Sequence, residues 1–356
     1  MIKTLKKDID CEIRAFLVDV KKDLKLHTIS PLLFDGVKDF VERPGKRIRP
    51  ILFILAYLGY TRRGRIPRKK LLRSSLSLEL LHDFLLIHDD VIDKSDMRRG
   101  KPSLHRIFNS KLKVSPHDDA GSDLSIVAGD VIFALAVESF LSFDEDPKRK
   151  EKALGEFLRM ATFTGTGEFI DITAGMKSID KVSRKEIFDI YTLKTAKYTF
   201  EGPMRIGASL AGANDVELKK LSRLGVALGK AFQILDDLLD VFSTTSETGK
   251  PVLSDLAESK KTLLVWETFR RLAPGDRKNF KLLFEKKTKT KKDLQRIKQL
   301  IIESGAYNYC VRKIYSLLKE AILFSDTIKM GKRYKKELLG LIENIVSKTR
   351  VLSLRH

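Results

Sequence analysis

Apolar residues recur at helical spacing along almost the whole chain: Ile13 to Lys25, Arg49 to Tyr60, Lys69 to Ile92, Asp123 to Phe143, Arg149 to Met160, Val182 to Ala211, Val216 to Phe242, Tyr307 to Ser325 and Lys332 to Val346. A period of about 3.6 residues gives each segment one face to bury against another helix. No comparable set of alternating strands is present. Turn formers are also scarce, with 21 glycines and 10 prolines among 356 residues, which disfavours a many-stranded sandwich or barrel. Breaks fall at Glu42-Arg43-Pro44-Gly45, Gly100-Lys101-Pro102, Ser115-Pro116-His117, Asp146-Pro147, Ala211-Gly212 and Ala273-Pro274-Gly275. None is long enough to be an interdomain linker, so the expectation is an all-α fold, a single domain over residues 1–356 with about a dozen helices.

The 68 basic and 47 acidic residues leave a net charge of +21, yet 43% of residues are hydrophobic. That combination describes a folded globule with a basic surface. Cys11 and Cys310 are the only cysteines, too few for a disulfide framework or a multi-cysteine zinc site. The charged N-terminus lacks the apolar stretch of a secretory signal, and a cytoplasmic location is expected. Ile51 to Tyr60 is too short to span a bilayer and Val131 to Phe143 is interrupted by Glu138, so no transmembrane helix is expected. Two basic runs, Arg62 to Arg73 and Lys286 to Lys292, read as solvated faces. Contact with an anionic membrane surface or with nucleic acid is the alternative. Without interleaved aromatics, nucleic acid is disfavoured.

The most informative segment is Leu80-Leu81-His82-Asp83-Phe84-Leu85-Leu86-Ile87-His88-Asp89-Asp90-Val91-Ile92-Asp93. On a helix Asp89 and Asp93 share a face one turn apart, with His82 two turns earlier on nearly the same side. Like charges in that register repel, and apolar flanks make the repulsion costlier. A cation reverses the sign. The pattern recurs in Phe232-Gln233-Ile234-Leu235-Asp236-Asp237-Leu238-Leu239-Asp240, where Gln233 precedes Asp236 by three residues. One Asp-Asp-x-x-Asp is ordinarily a solvated or capping group, but two copies in apolar helices point to a site. Carboxylates without thiols suit a hard ion. Mg²⁺ in particular binds through one or two carboxylates plus substrate phosphates, which predicts a phosphorylated ligand. A di-iron bundle needs two Glu-x-x-His pairs, and Glu79 with His82 is the one on offer.

A polyphosphate ligand requires positive charge near the acids. Arg98-Arg99-Gly100-Lys101 follows the first cluster, and Gly249-Lys250, Asp255 and Lys260-Lys261-Thr262 follow the second. Upstream, Gly45-Lys46-Arg47-Ile48-Arg49-Pro50 places Lys46 and Arg49 at an expected helix start, where backbone N–H groups also favour anions. In a chain this basic each pair alone would read as surface. Together with the aspartates they form a constellation.

From Gly45-Lys46-Arg47-Ile48-Arg49-Pro50 through both aspartate clusters, and including Arg98-Arg99-Gly100, the sequence resembles the trans-prenyltransferases, or polyprenyl diphosphate synthases. The resemblance implies an isoprenoid synthase helical bundle around a central cavity, with the two clusters facing each other across its mouth. It implies Asp89, Asp93 and Asp236 as direct magnesium ligands, with Asp90, Asp237 and Asp240 supporting them. By the same matching, Lys46, Arg49, His82 and Arg99 resemble the pocket for isopentenyl diphosphate. Arg98, Lys194, Lys250 and Lys260 resemble contacts to the allylic diphosphate, and Thr195 and Gln233 resemble residues that line the reacting region. Gly167-Glu168-Phe169-Ile170-Asp171 matches a segment where many members have Gln in place of Glu168, which leaves the role of Glu168 open.

The implied reaction is head-to-tail condensation of isopentenyl diphosphate with an allylic diphosphate. Phe84 and Leu85 resemble the positions that set chain length. An aromatic only at the deeper one looks more like a geranylgeranyl than a farnesyl diphosphate synthase; the alternative is that Phe84 is ordinary core. The resemblance also implies a homodimer. Three rivals stand beside this reading. A cyclase or head-to-head synthase of the same fold would not need Lys46, Arg49 and Arg99. A non-catalytic modulating subunit tends to lose aspartates, and here all six remain. A nucleic-acid binder leaves both clusters unexplained.

Overall fold

The computed structural model describes residues 1–62, 64, 66–243 and 253–353, and their secondary structure is almost entirely helical. They form two compact units, one of Met1–Leu154 with Ile206–Gly212, the other of Gly155–Arg205 with Ala213–His356.

The first unit contains α1 (Ile2–Leu24), α2 (Leu26–Ile29), α3 (Pro31–Val41), α4 (Ile48–Tyr60), α5 (Arg68–Ile92), α6 (Leu104–Leu112) and α7 (Asp119–Leu141), and α8 (Pro147–Gly175) begins in it. Its centre is α5 lying along α7. Leu76, Leu80, Leu81 and Ile87 of α5 and Ala128, Ile132, Leu135 and Ala136 of α7 are buried. Ser74 and Ser139 enter this core with their hydroxyls satisfied: Ser74 Oγ donates to the Phe140 carbonyl at 3.1 Å and Ser139 Oγ to the Arg73 carbonyl at 2.6 Å, as buried polar groups require.

Among the described residues α7 is the one helix long and apolar enough to cross a membrane. The apolar run Val131 to Phe143 overlaps only the later part of this helix, which begins at Asp119. Its inner face packs on α5 in the manner of a core helix.

Between α5 and α6 lies a small hairpin, β1 (Met97–Arg98) antiparallel to β2 (Lys101–Pro102), which helical periodicity does not register. Its two-residue loop, Arg99-Gly100, has φ of +53° and +76°, the mirror-image geometry that matches strand twist and suits Gly at the second position. Arg43, 1% exposed, pins both strands, donating from Nη1 to the Arg98 carbonyl at 3.1 Å and from Nη2 to the Pro102 carbonyl at 2.8 Å.

The second unit contains the rest of α8, then α9 (Arg184–Ile190), a π-helical segment (Tyr191–Glu201), the start of α10 (Gly202–Leu210), α11 (Asp215–Phe242), α12 (Ser254–Ala257), α13 (Leu263–Arg271), α14 (Pro274–Phe284), α15 (Lys291–Glu303), α16 (Ala306–Thr327) and α17 (Lys332–Ser353). The single helix expected over Val182–Ala211 is thus interrupted. The π-helical segment packs against α11, where Gly229 has no room for a side chain: a Cβ there would stand 2.3 Å from Ala196 Cα. Two helices that start where the sequence reads as a break or a basic run have explicit start signals. Pro274 occupies the first turn of α14, and Thr290 with Asp293 forms a capping box for α15, each satisfying or removing an orphan N–H.

Candidate active site

The helix α5 is buried on all sides from Ser74 to Leu81 and carries Asp89 and Asp90 to its last turn, with Asp93 as the C-cap. Asp89 and Asp93 are half-buried, whereas Asp90 is 1% exposed and turned inward. Arg98 Nε donates to Asp90 Oδ1 at 2.6 Å, and its Nη2 lies 3.3 Å from Asp89 Oδ2. Burial outweighs that pairing and pushes the Asp90 carboxyl up to about 6. The middle aspartate therefore orients Arg98 and leaves Asp89 and Asp93 as the outward pair.

About two to three turns earlier on α5 a charged network surrounds His82. Arg47 Nη1 pairs with Glu79 at 2.6 Å and its Nε with Asp10 at 2.8 Å. Arg99 reaches Asp83 at 3.1 Å and Glu79 at 3.5 Å. Half-buried His82 is held well below the ordinary histidine range, first by burial and then by the guanidinium groups of Arg49, Arg99, Arg98 and Arg47. It is a neutral imidazole among cations. Lys46 is exposed just before α4 and Arg49 half-buried in its first turn. Asp83 has no exposure, and burial lifts its carboxyl to about 7 against the pull of Arg99.

Phe84 and Leu85 are half-buried. The Phe84 ring lies 4.5 Å from that of His88 and 5.3 Å from that of Phe133, centroid to centroid. It belongs to an aromatic group spanning α5 and α7 rather than to the sealed core.

In the second unit the π-helical segment carries Lys194 and Thr195. Lys194 Nζ pairs with Asp171 at 2.8 Å and Glu168 at 2.7 Å, so Glu168 shares the lysine with Asp171. Thr195 Oγ1 donates to Gln233 Oε1 at 2.6 Å, and Gln233 Nε2 donates to Asp237 Oδ1 at 2.8 Å. Tyr191 donates its hydroxyl to the other Asp237 oxygen and accepts from the Leu263 N–H at 2.8 Å. π-Helical turns recur at functional sites because they displace side chains from the regular register.

Asp236 is exposed, Asp240 half-buried and Asp237 only 2% exposed. Burial, then the charge of Asp255, raises the Asp237 carboxyl well above the carboxylate range. Asp240 Oδ1 accepts from Ser254 Oγ at 2.6 Å and Oδ2 from the Asp255 N–H at 3.1 Å. Burial and Asp240 lift Asp255 to about 7, opposed by Lys260. Lys260 Nζ lies 3.1 Å from Glu258. Lys250 lies outside the described residues.

Five residues in these networks were not assigned a place in the site by sequence reading: Arg43, Glu79, Asp83, Tyr191 and Asp255. Glu79 and Asp83 carried a signal, since ionisable residues ten and six positions before Asp89 fall in a largely apolar stretch of the helix. Asp255 was noted only as following the second cluster, and Arg43 and Tyr191 carried no signal. Their partners are distant in sequence or joined by a turn no periodicity encodes.

The donor set suits a hard cation: carboxylate oxygens toward the ends of α5 and α11. Among the described residues no three of His, Cys, Asp and Glu converge tightly enough to enclose an ion by themselves. A cation there would be completed by other oxygen ligands, the habit of Mg²⁺ with phosphates.

The family model of polyprenyl synthetase matches residues 30–301. The chain belongs to the polyprenyl synthetase family. It is a prenyltransferase. A geranylgeranyl diphosphate synthase of Methanosarcina mazei is 29% identical over 323 residues, covering 90% of this chain and 91% of that one. A short chain isoprenyl diphosphate synthase of Methanocaldococcus jannaschii is 31% identical over 277 residues, 78% of this prenyltransferase and 75% of the relative. A geranylgeranyl pyrophosphate synthase from Corynebacterium glutamicum, solved with isoprenyl diphosphate and magnesium, matches with a TM-score of 0.89 at 26% identity, covering 98% of this chain and 99% of that one.

Proposed function

We propose that this prenyltransferase condenses isopentenyl diphosphate head-to-tail with an allylic diphosphate in the presence of Mg²⁺, residues 1–356 working as one synthase domain, and that its main product is geranylgeranyl diphosphate. The observation that carries the reading is the gathering of Arg49 and Arg99 around a neutral His82, two helical turns before Asp89. A cation pocket separate from the aspartates is superfluous for cyclising one substrate. It is what a second diphosphate needs.

Bound at the aspartates, Mg²⁺ supplies positive charge to a departing diphosphate, an electrostatic stabilisation of the transition state. The chain's residues do the rest. Asp89, Asp93 and Asp236 offer outward carboxylates, while Asp90, Asp237 and Asp240 hold neighbours in place. Arg98, Lys194, Lys250 and Lys260 bind the allylic diphosphate. Lys46, Arg49, Arg99 and the N–H of neutral His82 orient isopentenyl diphosphate so that its double bond faces the allylic carbon. Thr195 and Gln233, fixed by Asp237, line the reacting region. Once the allylic carbon–oxygen bond breaks, the double bond attacks and a proton is lost to the departing diphosphate. Phe84 limits the growing tail.

A homodimer is part of the proposal. Leu124, Ile126, Val127 and Leu141 of α7 are 36%, 40%, 56% and 46% exposed, an apolar surface that a second copy would cover. Cytoplasmic residence and weak attraction of the basic surface to anionic membranes complete it. The test is incorporation of labelled isopentenyl diphosphate into prenyl diphosphate by the wild-type protein, with a loss of at least about 100-fold in Asp89→Ala and in Asp236→Ala while both variants keep their helical content and melting behaviour. Wild-type turnover in both variants would contradict the proposal.

A further inference from the structure

Arg99 occupies an awkward position. It sits at φ +53° in a two-residue turn, and its side chain folds back onto α5, where Glu79 and Asp83 lie four residues apart on one face. Glu79 is already committed, its Oε1 paired with Arg47 at 2.6 Å and standing 3.5 Å from Arg99. Asp83 is different. Neither of its oxygens has a hydrogen bond of ordinary geometry, its side chain has no exposure, and its ion pair among the described residues is to Arg99 Nη1 at 3.1 Å. A buried carboxylate without hydrogen bonds is costly, and a buried ion pair is weak support for stability. An acid retained on such terms fits a role in placing the guanidinium. Direct contact with substrate is closed to it by its burial.

We propose that Asp83 is the positioning residue for Arg99: it draws the guanidinium from the hairpin turn onto α5, beside His82, so that the isopentenyl diphosphate pocket is formed before substrate arrives. The inference rests on the reading of Arg99 as a diphosphate ligand given above. Arg43 fixes the turn from the backbone side through the Arg98 and Pro102 carbonyls. Asp83 fixes the far end of the same residue.

The experiment is steady-state kinetics of Asp83→Asn, Arg99→Gln and the double variant, with each substrate varied at saturation of the other. Displacing a binding group by about 1 Å costs up to about 100-fold; Asp83→Asn is expected to raise KM for isopentenyl diphosphate about tenfold, with kcat and KM for the allylic substrate within about twofold. Arg99→Gln is expected to do at least as much, and the double variant to match Arg99→Gln. Equal changes in both KM values, no change in either, or losses that multiply in the double variant overturn the tether. A defective Arg99→Gln beside a normal Asp83→Asn overturns the tether alone, whereas an unaffected Arg99→Gln overturns the role of Arg99 and the tether with it. If Asp83→Asn fails to fold, the double variant, which removes both buried charges, carries the comparison with Arg99→Gln.

Discussion

Tyr191 donates its hydroxyl hydrogen bond to the carboxylate of Asp237, and this bond ties the π-helical segment to the middle of the second aspartate cluster. Because the Leu263 N–H donates to the same hydroxyl at 2.8 Å, the start of α13 is held too. Tyr191→Phe leaves both a buried N–H and a buried carboxyl oxygen short of a partner. The expected cost is about 1–3 kcal/mol of stability, read from the midpoint of a urea melt. An unchanged midpoint would show that the hydroxyl is not part of what holds these elements together.

Buried acids give a second prediction. Asp83 and Asp255 are each raised from 3.8 to about 7. Between about pH 4 and about pH 7 the folded chain keeps protons the unfolded chain has lost, so stability contributed by these groups is present below about 4 and lost as pH rises toward 7. Melting temperature in the presence of a chelator should therefore fall from about pH 5 to about pH 8. Mg²⁺ with inorganic pyrophosphate should restore more of it at the higher pH, where Asp255 and its neighbours are charged. A melting temperature that rises over this interval would contradict the assignment.

The spacing of the aspartates was legible because side chains one helical turn apart are fixed neighbours in any α-helix, and Lys46, Arg49 and Arg99 were legible as a motif. Their support was not. Arg43 and the Arg98 carbonyl it holds are joined only through the chain's path, and nothing in a run such as Glu42-Arg43-Pro44 separates a buried arginine from a solvated one. The π-helical segment is hidden for a related reason. A widened turn leaves apolar spacing nearly intact, and the clue lies on another helix, in Gly229, whose bare backbone admits Ala196. Burial of the middle aspartates was likewise invisible, since Asp89 and Asp90 are adjacent in sequence and point to opposite environments.

Phe84 stands against Phe133 and His88 on α5 and α7, only half-buried. Truncation to Ala should lengthen the product by at least one five-carbon unit, and it should cost less than the ~3–5 kcal/mol of emptying a fully buried Phe site. Chromatography of the dephosphorylated products checks the first and a urea melt the second. An unchanged product spectrum removes Phe84 from chain-length control.

The most direct measurement of the account is product analysis of the wild-type protein given labelled isopentenyl diphosphate, Mg²⁺ and, separately, dimethylallyl, geranyl and farnesyl diphosphates. The account predicts label in an all-trans twenty-carbon diphosphate from each primer and none when Mg²⁺ is chelated. Failure to incorporate label from any primer, or its recovery in a cyclised or head-to-head product, would contradict it.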